Sequence, residues 1–553
     1  MKPIEEFLSE LGNLDIKLWV EDNPNSSQGV KLRCNAPSGR LTPEIRANLS
    51  DRKAEIISFF QRVGSSFEIE SIPTVARDNG NLPLSWSQQR LWFLYQMEGA
   101  SATYNMPAAV QMTGVLDISA LEQALQEVIR RHEVLRTSFA KVDGHAVQVI
   151  HPHTNLTLPI VDLQECSDEV KQLAILDAEK PFDLTQAPLM RVTLLKLSEQ
   201  SHVLLMNMHH IVADGWSIGI LIQEISTLYT VFIQGKPSPL PALPIQYADF
   251  AVWQRQWLQG EVFSKKINYW QKQLADAPPL LELPTDRPRP AIQTFRGSSR
   301  DFPLPLELTE QLNRLSQKFG VTLFMTLEAA FVTLLHRYSG QTDILIGSPI
   351  ANRDRLEINT LIGFFVNTLV LRSRLENNPP FIELLQQVKQ VALDAYAHQE
   401  VPFEQIVDTL QLKRNLSHTP LFQVMFALQN APMSKLELPG LQLSQLPIEA
   451  ITSKFDLTVS MTETPQGLIG NWEYNTDLFD DETISRMAGH FQNLITAIVA
   501  NPQETVQQLP LLSDAERQQL LVDWNLTNTE YVLDQCLHQL FEEQVQKTPN
   551  AIA

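Results

Sequence analysis

The stretch HVLLMNMHHIVADGWSIGILIQEI, residues 202–225, decides the fold of this chain. Its first half is apolar and predicts a strand that enters the core. Its second half repeats apolar residues at i, i+3, i+4 and i+7 from Ile218, which is one face of a helix. Asp214-Gly215 stands between the halves and predicts the turn that starts this helix. The stretch therefore predicts a strand, a turn and a helix on one core.

Two adjacent histidines close the predicted strand. Neighbouring side chains of a strand point to opposite faces, so we expect His209 and His210 to have different roles. One should turn into the fold and the other towards solvent or substrate. Taken alone, the pair has two interpretations, an active site or a chance His-His pair before a common turn. A metal site is not predicted, because no further Cys, His or Glu lies nearby at metal-ligand spacing.

Composition and charge restrict the class of protein. The 553 residues are enough for roughly two to four domains. The chain is 44% hydrophobic and 19% charged, as in soluble globular proteins. A net charge of −20 without a compensating basic block argues against a nucleic-acid partner. No apolar run is long enough to span a bilayer, and the acidic start is not a signal peptide, so no membrane partner is predicted.

The cysteines indicate the compartment. Cys34, Cys166 and Cys536 are far apart in sequence and form no pair pattern. This usage suits a reducing environment, and we expect a cytoplasmic protein.

Residues 1–62 read as a small module of their own. A short amphipathic helix precedes two alternating segments, DIKLWVED and VKLRCNAP, which predict a hairpin. A helix should then start at Thr42-Pro43, with the threonine as its cap. Residues 63–82 contain Gly64-Ser65-Ser66 and read as a linker. One interpretation is a small appendage packed on the main fold.

The order helix, hairpin, helices resembles the N-terminal docking domains of synthetase subunits, of the type known from tubulysin assembly. In that family the hairpin accepts the C-terminal peptide of the upstream subunit as an added strand. Lys17, Lys31 and Arg33 would favour an acidic peptide here. A homodimeric docking module is a further alternative.

Residues 83–510 interleave strands with helices, which predicts an α/β fold in two lobes. We expect one long helix over 246–274 and a strand over 361–373. The charged cluster RRHEVLR, 130–136, taken alone predicts a solvated helix end.

These segments resemble, in order, the seven motifs of condensation domains from nonribosomal peptide synthetases. The motifs are SWSQQRLWFL, RHEVLRTSF, MHHIVADGWS, YADFAVW, IGSPIANRDRLEINTLIGFFVNTLVLR, HQEVPFEQIVDTL and RNLSHTPLFQVMFALQN. The resemblance implies two chloramphenicol acetyltransferase-like lobes in a V-shaped pseudo-dimer, with a tunnel between them. We place the N-lobe at 83–260 and the C-lobe at 261–510. The seventh motif departs from the family, with Asn415 where an aspartate is usual.

The tail has two predicted parts. Residues 511–535 open with a capping box at Ser513 and then read as a linker. Residues 536–553 resemble the first helix of an adenylation domain, so we expect the natural chain to continue. The alternative for 511–535 is a tail that wraps the main body.

The resemblance implies amide formation by attack of a carrier-bound aminoacyl amine on an upstream carrier-bound acyl thioester. His210 would contact the amine, as a base or as a hydrogen-bond positioner, and His209 would be structural. Asp214 would hold the loop by pairing with Arg353, and Gly215 would keep the tunnel open. Further support of the site and the tunnel lining are assigned to Arg136, Trp216, Ser217, Ser348 and Asn367.

The resemblance also implies the partners. The chain itself would bind no cofactor, and its substrates would arrive on the 4'-phosphopantetheine arms of carrier proteins. The expected partners are the upstream donor carrier protein with its docking peptide, the downstream acceptor carrier protein and the adenylation domain. Two alternatives remain: an epimerisation domain on the same fold, and a catalytically silent domain that only recruits carrier proteins.

Overall fold

The computed structural model describes residues 17–22, 30–35, 45–46, 48–49, 52–53, 56, 71–77, 81–154, 156–164, 169–412, 415–429, 437–446, 452–528 and 535–552. The chain divides into two compact units, Met1–Ser71 and Ile72–Ala553. The predicted helix start at Thr42, most of the predicted linker and Arg414 of the seventh motif lie outside the described residues.

The first unit contains the predicted pair of strands, β1 (Lys17–Asp22) and β2 (Val30–Asn35). They pair antiparallel, with Lys17 opposite Asn35, Trp19 opposite Arg33 and Glu21 opposite Lys31. Directly opposed positions of an antiparallel pair share a face. The register therefore places the three basic positions on one face of the two-stranded sheet.

The second unit alternates helices and strands, as predicted. Its helices are α1 (Trp86–Glu98), α2 (Ile118–Arg131), α3 (Val170–Glu179), α4 (Gly215–Phe232), α5 (Tyr247–Trp257), α6 (Gly260–Gln273), α7 (Leu306–Phe319), α8 (Leu323–Ser339), α9 (Phe381–Tyr396), α10 (Phe403–Leu410), α11 (Asp481–Ala500), α12 (Asp514–Leu521) and α13 (Leu537–Lys547). Its strands are β3 (Leu82–Pro83), β4 (Asn105–Gly114), β5 (Thr137–Val142), β6 (His145–Ile150), β7 (Ile160–Asp162), β8 (Met190–Ser198), β9 (Ser201–His209), β10 (Gly297–Pro305), β11 (Asp343–Ile350), β12 (Asn367–Arg374), β13 (Val424–Gln429), β14 (Leu441–Gln445), β15 (Leu457–Thr464) and β16 (Gly467–Asn475).

The described strands of this unit form three sheets. A six-stranded sheet has the order β10-β16-β15-β13-β11-β12, a five-stranded sheet β14-β4-β9-β8-β7, and a three-stranded sheet β3-β6-β5. Strand β9 lies between β4 and β8, so the histidine pair ends an interior strand. Strand β14 comes from the second half of the chain and pairs antiparallel with β4, so the two halves share a sheet.

Local sequence explains where the key helices begin. Helix α1 starts with a reciprocal capping box between Ser85 and Gln88, and Asp214 caps α4 by accepting the amide hydrogen of Ser217. Thr322 caps α8 in the same way. Such caps fix where each helix begins, and thereby which side chains stand at its first turn.

The expected long helix over 246–274 is wrong, because the chain breaks between α5 and α6. Gly260 there has φ = +57°, a left-handed conformation that ends helical hydrogen bonding. Leu258 is buried at the break, so the two helices keep separate apolar faces in the core.

The expected strand over 361–373 is also wrong in its first part, because β12 begins at Asn367. The amides of Ile362, Gly363 and Phe365 donate instead to His132, Ser217 and Asp214 respectively. Backbone donors used in this way cannot join a sheet ladder. Segment 353–366, which we call the clasp, therefore packs on the first half of the unit.

In the described part of the chain, no single helix is both long and apolar enough to cross a bilayer. Helices α7 and α8 satisfy length and composition only when taken together as a pair bent by 103°.

Substituting Gly347 in β11 should destabilise the second unit. A Cβ there would lie 2.2 Å from the Phe422 ring, which is fully buried, so Gly347→Ala should cost about 1–3 kcal/mol in the free energy of unfolding. Gly489→Ala is the control, since its Cβ meets no atom within 4 Å and the residue lies inside helix α11. The control should gain about 0.5–1 kcal/mol. Equal melting temperatures for the two variants would contradict this packing.

Candidate active site

A cavity of about 770 Å³ lies in the second unit and draws its walls from both halves of the chain. Helix α1 and the turn between β9 and α4 supply one part, and the ends of β11 and β12 with α10 supply another. His210, Asp214, Gly215 and Trp216 all line it. The turn predicted from the sequence thus opens onto a deep concave surface, which is where a ligand site is expected.

His210 follows the end of β9 and lines this cavity. Its amide donates to the Tyr104 carbonyl at 2.9 Å, and its ring centroid lies 5.0 Å from that of Phe364. Its Nδ1 atom is buried without a hydrogen-bond partner among the described residues. Burial, followed by the charges of Lys454 and His209, lowers the pKa of His210 well below its usual range. The imidazole is therefore neutral at neutral pH.

His209 turns the other way, into the core. Its Nδ1 accepts the amide hydrogen of Ile211 at 3.1 Å, and its ring packs edge-on to Phe182. Burial, with a smaller contribution from Lys454, lowers the pKa of His209 to about 3. The opposite placement of the two histidines follows from strand alternation, as expected.

Asp214 uses both carboxylate oxygens for structure. Oδ1 accepts hydrogen bonds from the Ser217 amide at 2.9 Å and its hydroxyl at 2.7 Å. Oδ2 accepts from the Phe365 amide at 3.0 Å. Asp214 therefore joins the start of α4 to the clasp, with both of its oxygens engaged in hydrogen bonds.

Arg353 forms the ion pair with Asp214 that the sequence analysis expected, at 3.1 Å. Each side chain is 1% exposed. The other terminal guanidinium nitrogen donates to the carbonyls of Ile358 and Leu361 at 2.7 and 2.8 Å. The guanidinium carbon also lies 4.2 Å from the ring centroid of Phe365. One buried side chain thus organises most of the clasp.

Gly215 is exposed to the cavity, and a Cβ added there would meet no atom within 4 Å. The backbone at this point leaves room for a ligand rather than for a packed neighbour. Trp216 also lines the cavity and donates from Nε1 to the Asn359 carbonyl at 3.2 Å.

Ser217 and Ser348 correct the predicted tunnel lining, since neither lines this cavity. Ser217 is buried behind Asp214 and bonds to Gly363, and Ser348 is buried within β11. Asn367 does line the cavity. Its amide nitrogen donates to the Val401 carbonyl at 2.8 Å, which fixes the approach to α10.

Arg136 does not contact this site. It donates to the His151 carbonyl and lies 3.8 Å from Glu133, and none of these three residues lines the cavity. The expected supporting role is instead filled by its neighbours in the same motif.

Arg131 and His132 are not part of a solvated helix end, which corrects the sequence interpretation. Arg131 pairs with Glu224 of α4 at 3.0 Å, and His132 bonds to the same carboxylate at 3.1 Å. Burial raises the pKa of Glu224, but the bonds from His132 and Arg131 outweigh it and leave the pKa lowered. His132 also accepts the Ile362 amide of the clasp. The position of Glu224 on an otherwise apolar helix face was the feature of the sequence that could have predicted these buried charge contacts.

Three charged residues of the cavity were missed from the sequence. Arg90 of α1 and Glu404 of α10 form an ion pair at 3.4 Å between the two halves, and both line the cavity. Lys454 lines it too, with its ammonium nitrogen 5.0 Å from the Tyr104 ring centroid. Residue spacing in the sequence predicts neither contact, because the partners of each contact are hundreds of residues apart.

Within the described ranges, no group of three or more His, Cys, Asp and Glu side chains is placed to hold a metal ion together. The polar groups of the cavity instead suit a ligand that is held by hydrogen bonds and by charge interactions.

Comparison with known protein families gives two matches. The model of the condensation domain matches residues 78–521, and that of the TubC N-terminal docking domain matches residues 4–62. One of the linear gramicidin synthase subunits of Brevibacillus parabrevis is 50% identical over 479 residues, which is 85% of this chain and 9% of that relative. Malpinin synthetase of Mortierella alpina is 46% identical over 488 residues, which is 88% of this chain and 6% of that enzyme. The chain thus spans less than a tenth of each of these curated relatives.

Two solved structures are similar to the chain. The X-domain in its complex with OxyB from teicoplanin biosynthesis is 29% identical, with a TM-score of 0.74 over 81% of this chain and 99% of that one. The four-domain nonribosomal peptide synthetase holo-AB3403, bound to AMP and glycine, is 24% identical, with a TM-score of 0.77 over 86% of this chain and 37% of that one. The second likeness concerns the fold alone.

His209 should make folding stability fall with acid. In the unfolded chain the His209 imidazole takes up a proton near pH 6.5. In the folded chain it does so only near its lowered pKa of about 3. Unfolding therefore gains a proton between these values, and this histidine should remove about 2 kcal/mol of stability on going to about pH 5. The difference in unfolding free energy between wild type and His209→Asn should narrow by that amount from about pH 7.5 to pH 5 in urea denaturation.

His153→Asn, at an exposed histidine, serves as the control for the loss of an imidazole outside the core. A pH-independent difference for His209→Asn would show that this ring takes up its proton in the folded state.

Proposed function

This chain belongs to the condensation-domain family, and on that premise we propose that it forms amide bonds between two carrier-bound groups in nonribosomal peptide synthesis. The observation that supports this most directly is the placement of a neutral His210 beside the open Gly215 in the shared cavity. That arrangement offers a hydrogen-bond acceptor next to unoccupied space.

The reaction needs alignment more than strong base. The acceptor amine attacks the thioester carbon, the C–N bond forms, the C–S bond breaks, and one amine proton ends on the leaving sulfur. An α-amine has a reference pKa of about 8, so part of it is already neutral near pH 7. Holding the two groups in reacting geometry then supplies much of the rate enhancement.

His210 is assigned to the amine. Its strongly lowered pKa makes it a poor store for a proton, which favours a role as hydrogen-bond acceptor that orients the amine over that of a strong base. Asp214 is assigned to structure, since its oxygens are occupied by Ser217, Phe365 and Arg353.

The substrates would arrive on 4'-phosphopantetheine arms of carrier proteins, one acyl donor and one aminoacyl acceptor. Apolar side chains form much of the cavity wall, which suits acyl groups of apolar character. They are Phe93, Leu94, Met106, Phe364, Met425 and Phe455.

A second candidate is a domain that only recruits other proteins. It is favoured by one observation, the 29% identity to an X-domain that was solved in complex with another protein, OxyB. Peptide formation by the purified chain separates the two functions, because a recruiting domain would bind carriers without turnover.

The module at residues 4–62 would dock the upstream subunit. The β1–β2 hairpin would receive an acidic C-terminal peptide as an added strand, near Lys17, Lys31 and Arg33. Attraction between these cations and an acidic peptide is screened by salt, so the peptide contact is expected to be sensitive to salt.

The last helix would begin an adenylation domain. Helix α13 exposes Leu537, Phe541 and Val545 along one stripe, at i, i+4 and i+8. An exposed apolar stripe of this kind suits packing against further protein.

His210→Ala should lower peptide formation by about 10²–10⁴-fold while the fold is retained, because the amine loses its hydrogen-bond acceptor. The assay uses the full chain with donor and acceptor carrier proteins loaded from a panel of proteinogenic amino acids, and product is measured by mass spectrometry. His153→Ala, at an exposed histidine, is the control and should match wild type. Near-normal turnover in a folded His210→Ala variant would rule out this assignment.

Reversing Lys17, Lys31 and Arg33 to Glu should weaken transfer from the upstream subunit at low concentration, because docking raises the effective concentration by about 10²–10⁴-fold. Transfer from a concentrated, isolated donor carrier protein should be unchanged. The control reverses Arg130, Arg314 and Lys318, three exposed cations of the second unit, and alters net charge equally. If both triple variants behaved alike, net charge rather than a docking face would explain the result.

A further inference from the structure

Lys454 lies in the reaction cavity, where Glu473 acts on its ammonium group by charge and without a side-chain hydrogen bond. It lines the same cavity as His210, and its ammonium nitrogen rests 5.0 Å from the Tyr104 ring centroid. Tyr104 in turn accepts the backbone hydrogen bond of His210. A cation of the second half therefore stands near the histidine of the first half.

The backbone around Lys454 is firmly held. Its carbonyl accepts from Gln293 at 3.0 Å, and the amide of Ser453 donates to the Phe295 carbonyl at 2.9 Å. Two residues later, the buried Asp456 pairs with Arg289. The position of the lysine in the cavity is thus set by structure on both sides of it.

The charges that face Lys454 come from two elements. Glu473 of β16 attracts it, whereas Arg90 of α1 repels it, and burial disfavours its charge most. Together these effects lower the pKa of Lys454. Burial raises the pKa of Glu473, with Lys454 opposing, so this carboxylate is a weakened counter-ion. Arg90 already has its own ion pair with Glu404.

Among the charged groups around His210, Lys454 is the main one whose charge is not compensated by a partner. His209 beside it is neutral at working pH, and Asp214 is neutralised by Arg353. Lys454 precedes His209 among the charges that lower the pKa of His210. Coulomb interactions in a cavity wall of low dielectric act without direct contact between the charged groups.

We propose that Lys454 is a positioning residue of the condensation reaction, an inference that rests on the proposed function. Its ammonium charge disfavours a second cation at the reacting end of the cavity. The acceptor amine and His210 are both held in their neutral forms, as a nucleophile and a hydrogen-bond acceptor. An ammonium ion has no lone pair and cannot attack, so excluding it raises the reactive fraction. The proton released when the C–N bond forms leaves with the sulfur as the C–S bond breaks.

The test is the pH profile of peptide formation by the full chain, with carrier-bound substrates as above. Lys454→Met should shift the acid limb upward by about one pH unit, with about tenfold less turnover near pH 6 and wild-type turnover near pH 9. Lys454→Arg keeps the charge and should restore the wild-type profile. Lys318→Met is the matched control, since that exposed lysine also lies over an aromatic ring, Phe319 at 5.3 Å.

A uniform loss at every pH, or an unchanged profile, would overturn the proposal. A second readout does not depend on turnover: carbethoxylation of His210 by diethyl pyrocarbonate, followed by peptide mapping. This reagent modifies neutral imidazole, so the pH at which His210 becomes reactive should rise in Lys454→Met. An unshifted midpoint would also overturn it. Absence of turnover in the wild type, with the His210 midpoint shifted, would instead count against the proposed function alone.

Discussion

The buried ion pair between Asp214 and Arg353 is the constraint on which the site depends. Removing two charges from water is costly, and the pair persists because both groups are also hydrogen-bonded to their surroundings. Asp214 receives two backbone amides, and Arg353 donates to two carbonyls of the clasp. Burial lowers the pKa of Arg353, and Asp214 opposes that effect. The pair fixes the turn that presents His210 and Gly215 to the cavity.

Around this pair the two halves of the second unit exchange elements. The clasp packs on the first half, β14 completes its five-stranded sheet, and Arg90 of α1 meets Glu404 of α10 across the cavity. Glu224 adds a second buried charge network from helix α4 that reaches the clasp through His132. Shared elements of this kind explain how the cavity keeps its geometry although residues far apart in the sequence line it.

The sequence was informative wherever a local rule decided structure. Periodicity predicted β9 and α4, alternation placed the two histidines on opposite faces, and a partner for Asp214 was correctly sought in Arg353. It failed at the left-handed Gly260, which divides α5 from α6, and where long-range bonds override the local pattern. The apolar run from Leu361 reads as a strand, yet its amides are taken by side chains of the first half. Lys454 was missed because only the fold brings it near Tyr104.

Hydrogen exchange in Arg353→Met tests most directly whether the ion pair holds the site together. The amides of Ser217, Gly363 and Phe365 bond to Asp214 or Ser217 and not to Arg353 itself. Loss of the arginine should nevertheless speed their exchange together, by about tenfold or more, while amides of β15 and β16 keep wild-type protection. Unchanged protection of these three amides in the folded variant would contradict the account.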